Sequence, residues 1–302
     1  MMKEINETKD ILDINGAGSA VVDPGASRCG SAVGQALPQS QADALVRVPC
    51  RHNARLQRVL EAVNRDRELH ALWRCANINA VDRLGISDHG RVHVQIVANV
   101  GLRILRLLVE GGVRPSVVQH HGLEDADAEV VVFLAAVLHD VGIAIQRDRH
   151  EELSPILAAP RLSAILTGVP DYDIEGATVI RSEVLHAIVA HARDAHPLTL
   201  EAGIVKVADA LDMAKGRSRI PLESGNVNIH SLSAAAVERV LISRGQDKPV
   251  RVEVQMSSSI GIFQVGELLQ GKLANSGLTE HLEVVANVQT DGESSPTPLF
   301  RS

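Results

Sequence analysis

The sequence predicts an α+β protein in which a long all-α region precedes a small region of mixed strands and helices. Between residue 53 and about residue 216, apolar side chains recur at helical spacing, and few stretches alternate at a period of two. Beyond Pro221 the pattern changes to short alternating segments that are typical of strands. Hydrophobic residues make up 45% of the 302-residue chain, which argues against global disorder and allows one large domain or two ordinary ones.

The start of the chain has a different composition from the rest. Residues 1–44 are rich in Gly, Ser, Ala, Asp and Gln and have no sustained periodicity. Such a composition favours a flexible N-terminal extension, to which we assign no function. The predicted helical domain then covers residues 45–220, the mixed module residues 221–290, and a flexible tail residues 291–302.

Apolar stripes and punctuating residues define the predicted helices. The first stripes consist of Leu56, Val59, Leu60 and Val63, and then of Leu69, Leu72 and Trp73. Asp88 is the predicted N-cap of a longer helix that ends at Gly111. Further helices are predicted over residues 127–139, 150–167, 175–194 and 199–214, with Pro170 and Pro197 between the later ones.

The mixed module alternates between strand and helix patterns. Strands are predicted over residues 226–230, 240–243, 250–256 and 281–288, and helices over residues 233–240 and 260–275. Residues 244–249 are predicted to form the hairpin loop between the second and third strands. The order β-α-β-β-α-β is the ferredoxin-like pattern. The residues after Thr290 are predicted to be loop.

Composition and charge exclude several classes of function. A net charge of −7, with only one Trp, one Tyr and three Phe, argues against nucleic-acid binding. No apolar run approaches the roughly 20 residues that span a bilayer, and the N-terminus lacks the pattern of a signal peptide. Three scattered cysteines (Cys29, Cys50 and Cys75) indicate reduced thiols. We therefore expect a cytoplasmic protein that binds neither nucleic acid nor a membrane.

An adjacent His and Asp, His139 and Asp140, follow the apolar run Val130–Leu138. An imidazole and a carboxylate at the end of a buried helix can bind one divalent metal together, or the carboxylate can bridge two. His89 lies upstream and Asp209 downstream, so the ligand types occur in the order His, His-Asp, Asp. Because these residues are far apart in the chain, only a helical bundle that gathers several helix ends could unite them.

This order resembles the HD-domain superfamily of metal-dependent phosphohydrolases over roughly residues 70–217. His89, in His-Gly-Arg-Val, resembles the first family histidine, and His139-Asp140, followed by Val-Gly-Ile, resembles the name-giving pair. Asp209, in Lys-Val-Ala-Asp-Ala-Leu-Asp, resembles the last ligand. The chain departs from the pattern at Ala144, where a lysine is common in the family.

The resemblance implies a centre for one or two divalent ions. His150 and His191 resemble the additional histidines of two-metal members. The implied ligands are His89, His139, Asp140, His150, His191 and Asp209. Imidazole and carboxylate ligands suit Mn, Fe, Co, Ni or Zn, and they do not distinguish among these ions or from Mg.

Two of these histidines have a neighbour that competes for the same role. His93 lies four residues after His89 and shares its helix face, so either or both could reach the metal. His186 lies five residues before His191, about 140° around a helix, so the two cannot both point into one site. We favour His89 and His191.

The implied chemistry is hydrolysis of a phosphomonoester or phosphodiester, including that of a nucleotide, by a metal-activated water. Asp140, Asp212 and Glu151 are the candidate catalytic groups. Negative charge on the phosphoryl oxygens needs cationic neighbours. Arg147, Lys206 and Arg217 are the candidates for substrate binding, since they lie close in sequence to the metal motifs.

Two further functions stay open from the sequence. Some members of the superfamily are diiron oxygenases with the same order of ligands. A non-catalytic sensor of nucleotides or small molecules is the other alternative, because the C-terminal module resembles sensing or dimerisation modules. We expect a small-molecule phosphoester as partner and assembly into a homodimer or a higher homo-oligomer.

Overall fold

The computed structural model describes residues 11–14, 45–214, 229–290 and 293–298. The first long described range is helical and the C-terminal ranges form a mixed sheet with short helices, which agrees with the predicted α+β class. The helices of the first range are α1 (Ala54–Arg65), α2 (Arg67–Asn77), α3 (Arg91–Glu110), α4 (Ser116–His121), α5 (Asp125–Leu138), α6 (His150–Thr167), α7 (Ile174–Ala190) and α8 (Leu200–Leu211).

Helix α5 forms the centre of the helical region. Every side chain from Asp127 to Leu138 is buried. A helix that is apolar on all sides must lie inside a packed layer, and here α1, α3, α7 and α8 surround it. His139 and Asp140 directly follow this helix, so its burial places both side chains in the interior.

Helix α3 begins two residues later than its predicted N-cap, Asp88, implies, because the observed N-cap is Gly90. Oδ1 of Asp88 accepts hydrogen bonds from the backbone N–H groups of Gly90 and His93, at 3.2 and 3.1 Å, at the start of the helix. The helix is long and apolar enough to cross a membrane, but 72% of its most apolar window is buried in the fold. Because it packs against α5 and α8, α3 is a core helix here.

The C-terminal elements form a sheet whose strand order follows the chain. They are α9 (Ile229–Ala236), β2 (Val237–Arg244), β3 (Val250–Met256), α10 (Gly261–Gln264), α11 (Gly271–Ala274), β4 (Leu282–Thr290) and β5 (Glu293–Pro298), with β1 (Leu12–Asp13) beside β2. Strands β3 and β4 are parallel, and the other neighbours are antiparallel. The segment that contains α10 and α11 makes the crossover that a parallel pair requires.

This order does not confirm the ferredoxin-like pattern. Ile229 and His230, predicted to end the first strand, lie in α9, and residues 221–228 are outside the described residues. The alternation in Asn226–His230 is only five residues long, which is too short to distinguish a strand from the start of a helix. Strands β2, β3 and β4 lie close to their predicted positions.

Two segments that were predicted to be flexible contain strands. Leu12 and Asp13 pair with β2, and Ile14 is almost fully buried, while residues 1–10 and 15–44 lie outside the described residues. Glu293–Pro298 pairs with β4, although its sequence predicted a loop. Both strands lie at edges of the sheet, where a strand needs only one partner and tolerates proline and polar residues.

Close backbone contact joins the C-terminal elements to the helical region. A Cβ atom on Gly203 of α8 would lie 2.2 Å from the carbonyl oxygen of Ser276, so only glycine permits this approach. A Cβ on Gly111 would lie 2.7 Å from the ring of Pro249. Ser276 closely follows α11 and meets the first turn of α8, while Lys272 on α11 contacts Asp209 in the last turn, so α11 lies alongside α8.

Candidate metal centre

Five helices bring four histidines and two aspartates together. His93 lies in the first turn of α3, His139 and Asp140 follow α5, His150 begins α6, His191 follows α7, and Asp209 lies in the last turn of α8. Three groups have ligating atoms within 4.8 Å of one another: His93 with His139 and Asp140, His139 with His191 and Asp209, and Asp140 with His150 and His191. The helical bundle therefore unites residues that the sequence separates widely.

Asp140 lies between two pairs of imidazoles. Its Oδ2 is 3.2 Å from Nε2 of His93 and 3.3 Å from Nε2 of His139. Its Oδ1 is 3.0 Å from Nε2 of His150 and 3.7 Å from Nε2 of His191. Each carboxylate oxygen faces one pair, which is an arrangement in which the carboxylate can bridge two cations.

The second carboxylate, Asp209, adds to one of these pairs. Its Oδ1 is 3.3 Å from Nε2 of His93 and 3.7 Å from Nε2 of His139. Its Oδ2 turns away from the imidazoles and contacts Nζ of Lys272 on α11. One group of potential ligands thus contains two imidazoles and two carboxylates, and the other contains two imidazoles and the shared carboxylate.

All four imidazoles are oriented through Nδ1. In His139, His150 and His191, Nδ1 lies within hydrogen-bond distance of the backbone carbonyl oxygen three residues earlier. Nδ1 of His93 lies 2.6 Å from Oδ2 of Asp212. A hydrogen bond donated by Nδ1 leaves the lone pair of Nε2 for a metal, and such partners also fix the ring orientation.

The donor set fits a divalent cation. Nε2 of His93 lies 3.1 Å from Nε2 of His139, and Nε2 of His150 lies 3.3 Å from Nε2 of His191. Because an imidazole that donates from Nδ1 presents a lone pair at Nε2, each facing pair needs a proton or a metal ion to relieve the repulsion. Imidazoles and carboxylates without a thiolate suit Mn, Fe, Co, Ni or Zn.

The electrostatics of the cluster also favour a bound cation. Burial lowers the pKa of His139, but the carboxylates of Asp140 and Asp209 outweigh it and raise this pKa to about 9. Burial raises the pKa of Asp140, yet the imidazoles around it hold that pKa well below its usual value. Both carboxylates therefore stay ionised, and a proton on His139 balances part of their charge. A metal ion at this place would displace that proton.

The structure places His93, and not the predicted His89, in the cluster. Helix α3 begins at Arg91, so His93 projects from its first turn toward α5, whereas His89 precedes the helix. Nδ1 of His89 lies 2.7 Å from the carbonyl oxygen of Ser87, and the His89 ring lies beside His93 with the ring centres 5.4 Å apart. His89 is thus a neighbour of the metal centre and belongs to none of the three ligand groups.

His186 and His191 do not both point into the cluster, as their five-residue spacing predicts. His191 is in the cluster and is almost fully buried. Nε2 of His186 accepts a hydrogen bond from the backbone N–H of Leu198 at 3.0 Å, in the loop after α7. The two rings therefore have different surroundings.

Three of the other predicted site residues contact the potential ligands. Nη1 of Arg147 lies 2.8 Å from Nδ1 of His150, and a carboxylate oxygen of Glu151 lies 3.2 Å from the same atom. Asp212 contacts His93 as described above. Glu151 and Asp212 are therefore placed to orient the imidazoles of His150 and His93, respectively. Arg147 is only half-buried and lies at the rim of the cluster, where a cation could contact a substrate.

The other two predicted substrate-binding residues are not placed for that role by the described structure. The side chain of Lys206 is fully buried, and Nζ donates hydrogen bonds to the backbone carbonyl oxygens of Arg193 and Ala195. Burial, and then the charge of Lys272, lowers the pKa of Lys206 to about 8. Its long side chain extends to the turn after α7, and the residue is structural. Arg217 lies outside the described residues.

Sequence reasoning missed one charged residue of the site, Lys272. Its Nζ forms an ion pair with Asp209, from a different region of the chain. No motif marks this lysine, because its position depends on how the C-terminal segment packs on α8. The sequence offers His93 as the alternative to His89, and the spacing of His93 from Val97 and Val100 places it on the apolar stripe of α3.

Comparisons with known proteins agree with this arrangement. A protein-family model described as HD domain matches residues 93–214, which begin at His93 and include all six clustered residues. The chain is 40% identical over 233 residues to the uncharacterized protein MJ1020 of Methanocaldococcus jannaschii, which covers 77% of this chain and 89% of that protein.

A more distant similarity involves a part of a longer protein. The chain is 31% identical over 185 residues to Ribonuclease Y of Desulforamulus reducens, which covers 57% of this chain and 31% of that protein. No solved structure matches the chain significantly. Residues 93–214 therefore form an HD domain that contains the histidine and aspartate cluster, and the chain belongs to the same family as MJ1020.

Proposed function

We propose that the protein is a metal-dependent phosphohydrolase that cleaves a phosphomonoester or phosphodiester in a nucleotide or a similar small molecule. One observation carries this proposal: the two oxygens of Asp140 face two separate pairs of imidazoles. Divalent ions supply a nucleophilic water at neutral pH and neutralise the charge of a phosphoryl group when they are bound at such a site.

Some residues would hold the metal ions, and others orient the imidazoles. His93, His139 and Asp209 would hold one ion and His150 and His191 a second, with Asp140 shared between them. Carbonyl oxygens and Asp212 fix the imidazoles, so little reorganisation is needed when a ligand binds.

Among the described residues of the cluster, Asp209 marks a side that is open to solvent. The side chains of His93 and His139 are 0% exposed, whereas that of Asp209 is 19% exposed. This exposure favours the approach of a substrate from the side of Asp209. Arg147, half-buried beside His150, can contact the negative oxygens of a phosphoryl group from the rim.

Two observations guide the choice of substrates. The similarity to Ribonuclease Y makes phosphodiesters the first class to test. The net charge of −7 favours a small substrate over a long nucleic acid, because binding to a polyphosphate backbone depends on basic surfaces.

The proposal is tested with the full chain, freed of metal with a chelator and then loaded separately with Mn²⁺, Fe²⁺, Co²⁺, Ni²⁺, Zn²⁺ or Mg²⁺. Each form is assayed with p-nitrophenyl phosphate, bis-p-nitrophenyl phosphate, nucleotides, cyclic nucleotides and a short RNA. We expect phosphoester hydrolysis that requires added metal. Oxygen consumption without phosphate release, or metal binding without any hydrolysis across the panel, would contradict the proposal. Cleavage of RNA alone would correct the substrate class.

A further inference from the structure

We propose that Lys272, which lies outside the matched HD domain, binds the phosphoryl group of the substrate, so that the C-terminal segment completes the active site. This inference rests on the proposed function, because it assigns a binding group for the same phosphoester. It concerns a residue that neither the sequence motifs nor the family match includes, since the match ends at residue 214.

Lys272 lies next to the cluster. Its Nζ contacts Oδ2 of Asp209, while Oδ1 of the same carboxylate faces the imidazoles of His93 and His139. The ammonium group is thus separated from the metal centre by a single carboxylate. A phosphoryl group bound at the centre would have free oxygens that need cationic donors nearby.

Lys272 has more hydrogen-bond donors than its contact with Asp209 requires. An ammonium group has three N–H donors, and Asp209 is the one acceptor that contacts it among the residues that the structure describes. The side chain is 17% exposed, close to the 19% of Asp209, while the side chains of His93 and Asp140 are at most 5% exposed. Lys272 therefore lies on the open side of the site with donors available to a ligand.

The fold keeps Lys272 in this place. Helix α11 is fixed on α8 by the backbone contact between Gly203 and Ser276, which no larger residue than glycine would allow. Hydroxyl and backbone hydrogen bonds of Ser276 close the turn that follows α11. The lysine is thus presented by a short helix with a fixed backbone, which is suited to positioning a charge.

A second cation adjoins the first. The guanidinium group of Arg193, two residues after His191, lies against Gly271, and a Cβ atom there would be 3.8 Å from Nε and Nη2 of Arg193. Arg193 is exposed, and its carbonyl oxygen accepts a hydrogen bond from Lys206. Arg193 is therefore a second basic side chain next to the short helix that carries Lys272.

The experiment compares Lys272→Met with wild type, with Lys272→Arg as the conservative variant. Lys248→Met is the matched control, because Lys248 belongs to the same C-terminal region and donates to the carbonyl oxygen of Thr279, away from the cluster. The full chain is loaded with Mn²⁺, and calorimetry measures first the affinity for Mn²⁺ and then, at saturating Mn²⁺, the affinity for inorganic phosphate.

We expect Lys272→Met to bind Mn²⁺ nearly as wild type does and to bind phosphate about tenfold to about a hundredfold more weakly, as for the loss of one charge-assisted hydrogen bond. Lys272→Arg should retain most of the phosphate affinity, and Lys248→Met all of it. Unchanged phosphate affinity in Lys272→Met overturns the inference, as does a wild type that binds no phosphate. Weaker Mn²⁺ binding with unchanged phosphate affinity would make Lys272 a positioning residue for Asp209 and would also overturn it.

The experiment distinguishes a failure of phosphate binding by Lys272 from a failure of the proposed hydrolase function. If wild type binds Mn²⁺ and phosphate through Lys272 but hydrolyses nothing, the proposed function fails and the binding role of Lys272 stands. If wild type hydrolyses phosphoesters and Lys272→Met keeps full phosphate affinity, the binding role fails alone.

Discussion

Oδ2 of Asp212 lies 2.6 Å from Nδ1 of His93, and both side chains are buried. Nδ1–H of His93 donates a hydrogen bond to this carboxylate, so the lone pair of Nε2 faces His139 and Asp140. Asp212 therefore orients His93 within the cluster, and in the proposed function it positions this imidazole for a metal ion.

We expect Asp212→Ala to weaken metal binding by about 10- to about 100-fold, as for the loss of a carboxylate that orients a ligating histidine. Titration of the metal-free protein with Mn²⁺, monitored by calorimetry, measures this change. Asp247→Ala, in the exposed loop between β2 and β3, is the control and should bind as wild type does. Equal affinity in Asp212→Ala and wild type would show that His93 needs no such partner.

His93 and His89 form a matched pair for identifying the first ligand. We expect His93→Ala to lose tight binding at the centre formed with His139, because His93 supplies one of its nitrogens. His89→Ala should keep the metal content of wild type, since His89 belongs to none of the ligand groups. Metal analysis of the purified variants after dialysis measures both. Loss of metal in His89→Ala with retention in His93→Ala would reverse the assignment.

The pair formed by His150 and His191 is expected to bind a second ion. Replacement of either histidine by alanine should reduce the stoichiometry from about two ions to about one, because the remaining ligands are too few to hold the ion in competition with water. His186→Ala, on the same helix as His191 but outside the cluster, should leave the stoichiometry unchanged. A wild-type protein that binds a single ion at saturation contradicts this prediction.

A buried carboxylate outside the site provides a prediction on stability. Glu129 of α5 accepts hydrogen bonds from Arg106 at 2.6 Å and from Asn53 at 2.9 Å. Burial raises the pKa of Glu129, but these partners and His52 outweigh burial and hold it below its usual value of 4.5. A carboxyl group with a depressed pKa in the folded state stabilises the fold above its unfolded pKa, and this contribution is lost as the pH falls through the folded pKa.

We therefore expect Glu129→Gln to lower the free energy of unfolding by about 1 to about 3 kcal/mol at pH 7 and by less as the pH falls below 4.5. Urea denaturation at several pH values measures the difference from wild type. Glu61→Gln, which removes only the exposed pair with Arg65, should change stability by less than about 0.5 kcal/mol. A difference for Glu129→Gln that is independent of pH would contradict the assigned pKa shift.

The helices of the first region are predictable because apolar residues at helical spacing mark the face of each helix that is buried. The stripe that follows Asp88 and the run Val130–Leu138 become α3 and α5, and Asp88 accepts hydrogen bonds at the start of α3 although the N-cap is Gly90. The edge strands β1 and β5 could not be predicted in the same way. β1 has only two residues and β5 consists of polar residues and proline, so both become strands through their pairing with β2 and β4.

The candidate site was predictable to the extent that its residues lie at helix ends. The sequence identifies His139, Asp140, His150, His191 and Asp209, which the structure brings together. The choice between His89 and His93 depends on where α3 begins, and a boundary uncertain by two residues decides which ring points inward.

Charged residues around the site depend on tertiary packing and were harder to assign. Lys206 is near Asp209 in sequence, but its Nζ donates a hydrogen bond to the backbone carbonyl of Arg193 in the turn after α7. Lys272 is far away in sequence and contacts Asp209, because α11 packs on α8 through Gly203. Proximity along the chain is therefore a poor guide to the cations that can reach a substrate.

The most direct test of the metal-centred site is the rate of metal-dependent phosphoester hydrolysis by Asp140→Ala beside wild type and Asp247→Ala, at saturating Mn²⁺. Because Asp140 is the carboxylate that both imidazole pairs share, its removal should abolish hydrolysis to the background level, while Asp247→Ala keeps the wild-type rate. Wild-type activity in Asp140→Ala would contradict the assignment of this cluster as the catalytic centre.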